Sequence, residues 1–120
     1  MRSLSACGTR VIAVDLPAHG RSDGIDSSIV YRNEHAARLI LGLMDSRHIQ
    51  HAAFVGYRQG KMIALYAAVL APARVTAIAT VGARRSTPRN SGPISSVLAR
   101  IQARMRVVHG DDDFVPVSQA

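Results

Sequence analysis

Between Phe54 and Ala64 an apolar run passes directly into a helix-forming segment through Gly56-Tyr57-Arg58-Gln59-Gly60. Glycine two residues before and two after Arg58 marks a chain that turns from strand to helix in a single step. Such a turn holds its apex residue at positive φ, and its flanking positions stay small so that the two backbones can approach. This feature commits the centre of the chain to a strand–turn–helix unit. Units of that kind in series build a parallel sheet with crossover helices.

The rest of the chain repeats the alternation. Arg10-Val-Ile-Ala-Val-Asp15 is a continuous apolar run broken by Leu16-Pro17-Ala18-His19-Gly20, the pattern of a buried parallel strand. After a loop over 21–26, Ser27 or Ser28 is placed to cap a helix over 29–46. On it Ala36, Ile40, Leu43 and Met44 share one face with Ala37 and Leu41 beside them, and Glu34 stands four residues before Arg38. A strand over 52–56, a helix over 59–70 closed before Pro72, and a β-branched strand over 74–81 follow. Residues 83–93 have linker composition, a short helix is expected over 94–103, and a fourth strand over 105–109 ends at Gly110 and Asp111-Asp112-Asp113.

The expected fold class is α/β: a reduced doubly wound parallel sheet of about four strands with flanking helices on both faces, forming one domain over 1–120. Ligands of such sheets sit at the carboxyl ends of strands, which singles out loops 16–28, 56–60, 82–93 and 110–116.

Composition removes several classes. With 48% hydrophobic residues the chain is too apolar for a disordered one, and no apolar run reaches the roughly 20 residues of a membrane span. Cys7 is the single cysteine, so no intramolecular disulfide forms and a reducing, cytoplasmic compartment is expected. The net charge of +7 would suit nucleic acid, yet 14 of the 15 basic residues are Arg, most are scattered, and the few aromatic residues do not interleave with them. A solvated basic surface is the reading, with neither nucleic acid nor membrane as partner.

The strand–turn–helix motif resembles the nucleophile elbow of the α/β-hydrolase fold, G-x-S-x-G. Three further stretches are similar to that family in the same order. Gly8 to Asp23, GTRVIAVDLPAHGRSD, looks like a family strand and loop; Pro72 to Val75 with Ile78 to Gly82 looks like the strand after the elbow helix; Val107 to Pro116 looks like the strand and loop that deliver the catalytic acid. The resemblance implies an ester or acyl hydrolase of the esterase, lipase or haloperoxidase type that uses no cofactor, with a small-molecule ester or an anion as ligand. It also implies the site. Arg58 occupies the nucleophile position, Gln59 supplies an oxyanion N–H between Gly56 and Gly60, and the acid is Asp113 or Asp112, the spacing being one residue short.

Arg58 departs from the pattern, because a guanidinium stays protonated and offers no lone pair for attack. The family's catalytic His would follow residue 120 and its HG oxyanion loop would precede Arg10, so activity is expected to be absent or severely reduced. A gene fragment without independent function and an anion-binding pseudoenzyme are the other expectations. The latter would use Arg58 beside the helix N-terminus, and an ion pair from Arg58 to Asp113 or Asp112 is a further one. About 22 residues between the third and fourth strands leave no room for a lid domain.

The other chemistry-bearing residues have simpler readings. His19 serves as a hydrogen-bonding loop residue, His109 is an ordinary strand-end residue, and His35, His48 and His51 are exposed. Ser22, Ser95 and Ser96 serve turns or caps. No metal-ligand spacing is present. A family strand would lie between the Arg10 and Phe54 strands. Without it, either the Arg10 strand moves over to pair with the Phe54 strand, or a gap leaves apolar side chains exposed and open edges prone to self-association.

Overall fold

A computed structural model of the protein describes residues 5–24, 32–82 and 99–108. In chain order these form α1 (Asn33–Ser46), β1 (Ala52–Tyr57), α2 (Gln59–Leu70), β2 (Val75–Val81) and β3 (Arg104–Val108). The three strands make one parallel sheet in the order β1-β2-β3. The chain is therefore α/β, with a small parallel sheet and flanking helices, as its alternating pattern predicts.

Register decides which side chains meet the helices. Phe54, Ile78 and Met105 are aligned across the sheet, as are Val55, Ala79 and Arg106. Paired residues of a parallel sheet point to the same side and neighbours along a strand alternate. Ile78 and Thr80 are buried at 1% and 2% exposure, which makes theirs the helix-covered face. Between Ala52 and Ala53 the register slips by one residue, so that β2 passes from Val75 to Ala77. This irregularity turns Val75 into the core while Thr76 is exposed.

The core is a single cluster of Ala36, Ala37, Ile63, Ala64, Leu65, Ala67, Ala68, Val75 and Ile78, with Leu16, Ile40, Phe54 and Tyr66 packed around it. Alanine dominates where α1 meets α2, and its small side chain lets the two helix backbones come close. The predicted face of α1 is the buried one: Ala36, Ala37 and Met44 are inside. The Glu34 carboxylate accepts from Arg38 at 2.9 Å across one exposed turn. Both α1 and α2 share this core.

Three expectations need correction. Residues 10–15 belong to no ladder, so the described sheet has three strands and the Arg10 run is not one of them. Apolar composition alone does not make a strand; it needs a neighbour to take its N–H and C=O groups. Of the two alternatives for this region, pairing with the Phe54 strand is not seen: Ile12 and Val14 are 43% and 41% exposed, and β1 is an edge among the described residues. Second, α1 begins at Asn33 rather than 29, because Arg32 is extended with φ −74° and ψ 132° and caps the helix without a side-chain bond. Ser27 and Ser28 lie outside the described residues. Third, residues 99–103 form a turn and irregular chain leading into β3, where a helix was expected. The linker, His109 and the acidic run lie outside the described residues.

Candidate functional site

The elbow forms as its glycines require. Arg58 sits between the end of β1 and the start of α2 with φ 50° and ψ −111°, a conformation that L-residues rarely adopt. Its side chain is exposed and makes no cap to the helix, while its carbonyl accepts the N–H of Lys61 at 3.2 Å. Gly56 is buried at the end of β1. A β-carbon there would lie 2.5 Å from the carbonyl carbon and oxygen of Gly60 and from the Lys61 nitrogen. Glycine at 56 is thus the condition for the turn. Gly60 differs: a β-carbon on it would meet nothing within 4 Å, so its smallness is not what permits the approach.

Around this turn the sheet end is open. Tyr57 is 62% exposed, and its ring lies beside Gly82, which directly follows β2 at φ +71°. A β-carbon at Gly82 would sit 3.0 Å from that ring. Neither residue stood out in the sequence, although a glycine directly after a strand, aligned with the elbow, was the available signal.

The loop over 15–23 is organised by Asp15. Its Oδ2 accepts the Arg21 N–H at 3.1 Å and its carbonyl accepts the Ser22 hydroxyl at 2.8 Å. The ring Nδ1–H of His19 donates to the Pro17 carbonyl at 2.9 Å, and the Ala18 N–H donates to the Asp23 carbonyl at 3.1 Å. Gly20 takes φ +54°, and a side chain there would overlap the Asp15 carboxylate. His19 therefore plays the loop role read for it, and Ser22 a turn role.

The described residues form open clefts. One of about 350 Å³ lies between the 14–17 segment, Ser22 and Asp23, and the Leu39, Ile40 and Leu43 side of α1. A larger one of about 490 Å³ is lined by Asp45, His48, His51 and Arg74 among others. Its residues precede β1 and β2, at the end of the sheet opposite the elbow, where ligands of such folds do not bind. Arg74 there is structural: it pairs with Asp45 at 2.7 Å and donates to the carbonyls of Ile49 at 2.9 Å and Gln50 at 3.3 Å.

Of the sequence-predicted site residues, Gly56, Arg58, Gln59 and Gly60 stand together in the elbow, with Gln59 and Arg58 both exposed. Asp112 and Asp113 lie outside the described residues, and so does any pairing of either with Arg58. Among the described residues no cluster of three His, Cys, Asp or Glu could hold a metal ion, and no helix is long and apolar enough to cross a membrane.

With this geometry the comparisons with known proteins agree. The family model described as alpha/beta hydrolase fold matches residues 1–116. An epoxide hydrolase of Caballeronia sordidicola is 30% identical over 119 residues, covering 99% of this chain and 34% of the relative. Epoxide hydrolase 1 of Siraitia grosvenorii is 34% identical over 112 residues, covering 93% of this chain and 33% of the relative. Among solved structures, an N-acyl homoserine lactonase, AidH, complexed with N-butanoyl homoserine, superposes with a TM-score of 0.56 at 25% identity over 66% of this chain and 29% of that one. The chain belongs to the α/β-hydrolase fold family. It spans about a third of the length of the curated relatives it matches.

Proposed function

We propose that this chain is a hydrolase-family protein whose elbow no longer performs nucleophilic catalysis. The observation that carries this is Arg58 at the strained apex, φ 50°, where the family places its attacking side chain. Nucleophilic catalysis there needs a lone pair activated by an adjacent base, and a guanidinium supplies none at any accessible pH. Relatives named as epoxide hydrolases and a lactonase support ring-opening or acyl hydrolysis as the chemistry from which this elbow departs. The test uses p-nitrophenyl acetate and styrene oxide with the recombinant 120-residue chain. No burst and no turnover above a heat-killed control are expected. A burst abolished by a serine-directed phosphonate, or diol formation from the epoxide, overturns the proposal.

A second reading is anion binding at the same place. It is favoured by the exposed Arg58 side chain, which among the described residues has no ion-pair partner, standing where α2 begins. A carboxylate or phosphate would meet the Gln59 N–H and a fork-shaped donor. Thermal-shift titration with acetate and phosphate, against sodium chloride at equal ionic strength, tests it. Stabilisation that disappears in Arg58→Ala supports binding. An unchanged melting temperature, or one raised equally in the variant, removes it.

A further inference from the structure

The loop organised by Asp15 runs into Asp23-Gly24, the one place in the chain where Asp or Asn directly precedes glycine. The backbone of Asp23 is held, its carbonyl accepting the Ala18 N–H at 3.1 Å. Its carboxylate is not: among the described residues it has neither an ion-pair partner nor a hydrogen bond. The Gly24 N–H donates to no acceptor among the described residues, and both residues are exposed. Glycine at 24 is also not a requirement of the loop. Its φ lies outside the left-handed region, and among the described residues a β-carbon there would meet only the Ala18 β-carbon, at 3.9 Å. Gly20 shows the opposite case, at φ +54° and against the Asp15 carboxylate. What the missing side chain does at 24 is leave the amide nitrogen unshielded and the backbone free to turn toward the preceding carboxyl.

We propose that Asp23-Gly24 is a site of backbone isomerisation, at which Asp23 passes through a succinimide to isoaspartate in the folded chain. The Gly24 amide nitrogen forms a bond to Cγ of the Asp23 carboxyl in its protonated form. A C–O bond breaks, and the hydroxyl leaves with the amide proton as water. Water then re-enters at either ring carbonyl. Attack at Cγ restores aspartate. Attack at the former main-chain carbonyl carbon breaks its bond to the Gly24 nitrogen, so the chain runs on through Cβ and Cγ and a carboxylate is left on the Asp23 Cα. The oxygen that accepts the Ala18 N–H becomes part of that carboxylate and still accepts, so the loop stays closed. The chain after residue 23 gains one backbone methylene instead, beside the cleft that Ser22 and Asp23 share with Leu39, Ile40 and Leu43. The new carboxylate is the group that isoaspartyl methyltransferases esterify from S-adenosylmethionine, which gives the aged chain a partner of defined chemistry.

The test ages the recombinant chain at neutral pH, folded and in urea. The tryptic peptide 22–32 is followed by mass spectrometry, with electron-transfer fragmentation to separate isoaspartate at 23 from the same change at Asp26. Methyl transfer by an isoaspartyl methyltransferase counts the new carboxylate independently. Isoaspartate at 23 is expected to accumulate in the folded chain within a few-fold of its rate in urea, with a succinimide, lighter by one water, as the transient. Gly24→Ala is expected to slow it several-fold without moving the melting temperature, because the loop has room for the β-carbon. Asp23→Glu keeps the charge but must close a larger ring, and is expected to abolish it. A folded chain that stays unmodified while the urea-treated one reacts overturns the proposal. So does isoaspartate confined to residue 26, or an undiminished rate in Gly24→Ala.

Discussion

Gly56 and Gly60 lie so close that a β-carbon on the first would stand 2.5 Å from the carbonyl of the second. The strand end and the helix start are in contact through backbone, and the whole reversal between them is absorbed by one residue, Arg58. The two glycines nevertheless carry unequal loads. Gly56→Ala must push the helix away from the sheet and is expected to cost more than about 3 kcal/mol, because the opposing atoms are backbone and cannot rotate aside. Gly60→Ala meets open space inside a helix and is expected to stabilise by roughly 0.5–1 kcal/mol. Urea denaturation of the two variants checks the contrast; equal destabilisation would contradict it.

Arg58→Gly removes a side chain from a backbone conformation that glycine tolerates far better. The native state is relieved of strain, offset in part by the greater freedom of the unfolded chain, with a net gain of about 1 kcal/mol. The melting temperature of this variant is therefore expected to rise, whereas Arg58→Val, with a β-branched side chain at positive φ, is expected to lower it.

Arg74 joins the start of β2 to the last turn of α1 and the loop after it by three polar contacts, and its side chain is 27% exposed. Arg74→Met strands two carbonyls and one carboxylate and is expected to cost roughly 1–3 kcal/mol. Asp45→Asn removes only the carboxylate charge, 67% exposed, and is expected to cost below about 1 kcal/mol. The measurement is the shift in urea midpoint for each. Equal losses would mean that the ion pair, rather than the bonds to Ile49 and Gln50, holds this corner.

The edge of β1, unpaired among the described residues, makes a residue-by-residue prediction. The Ala52 N–H donates to the Arg74 carbonyl, so Ala52, Phe54 and Gly56 direct their backbone groups toward β2, and Ala53, Val55 and Tyr57 direct theirs away from it. Amide exchange is expected to alternate along the strand, slow at 54 and 56 and fast at 53, 55 and 57. Uniform protection across the strand in a monomer would refute an open edge.

The same edge is expected to drive self-association, since unpaired strand groups beside exposed apolar side chains template pairing with another chain. Val55→Lys places a charge on the edge strand and is expected to raise the concentration at which light scattering begins. An unchanged onset would place the association elsewhere.

How much of this was legible depended on whether a residue's partners were near it in sequence. The elbow, α2 with its boundaries and the Glu34–Arg38 pair were all readable, because each depends on residues within a few positions of one another. His19 was read correctly for the same reason, its partner Pro17 being two residues away. Arg10 to Asp15 misled, because its apolar run has strand character but nothing beside it to pair with. The role of Arg74 is not legible locally: its partners stand 24 to 29 residues earlier, and no pattern near it announces them. The contact at Gly82 was not legible because the Tyr57 ring that crowds it comes from a different strand.

The amino-acid sequence alone determined the family, the α/β alternation and the presence of a non-nucleophilic residue at the elbow apex. These follow from local backbone preference, hydrophobic periodicity and side-chain chemistry, none of which needs distant neighbours. Tertiary structure decided which apolar runs become strands, which face of the sheet α1 and α2 cover, and that the Tyr57 ring stands against Gly82. Those outcomes depend on register between strands far apart in the chain. Because side chains alternate with a period of two, one step of register decides whether a residue enters the core or faces water.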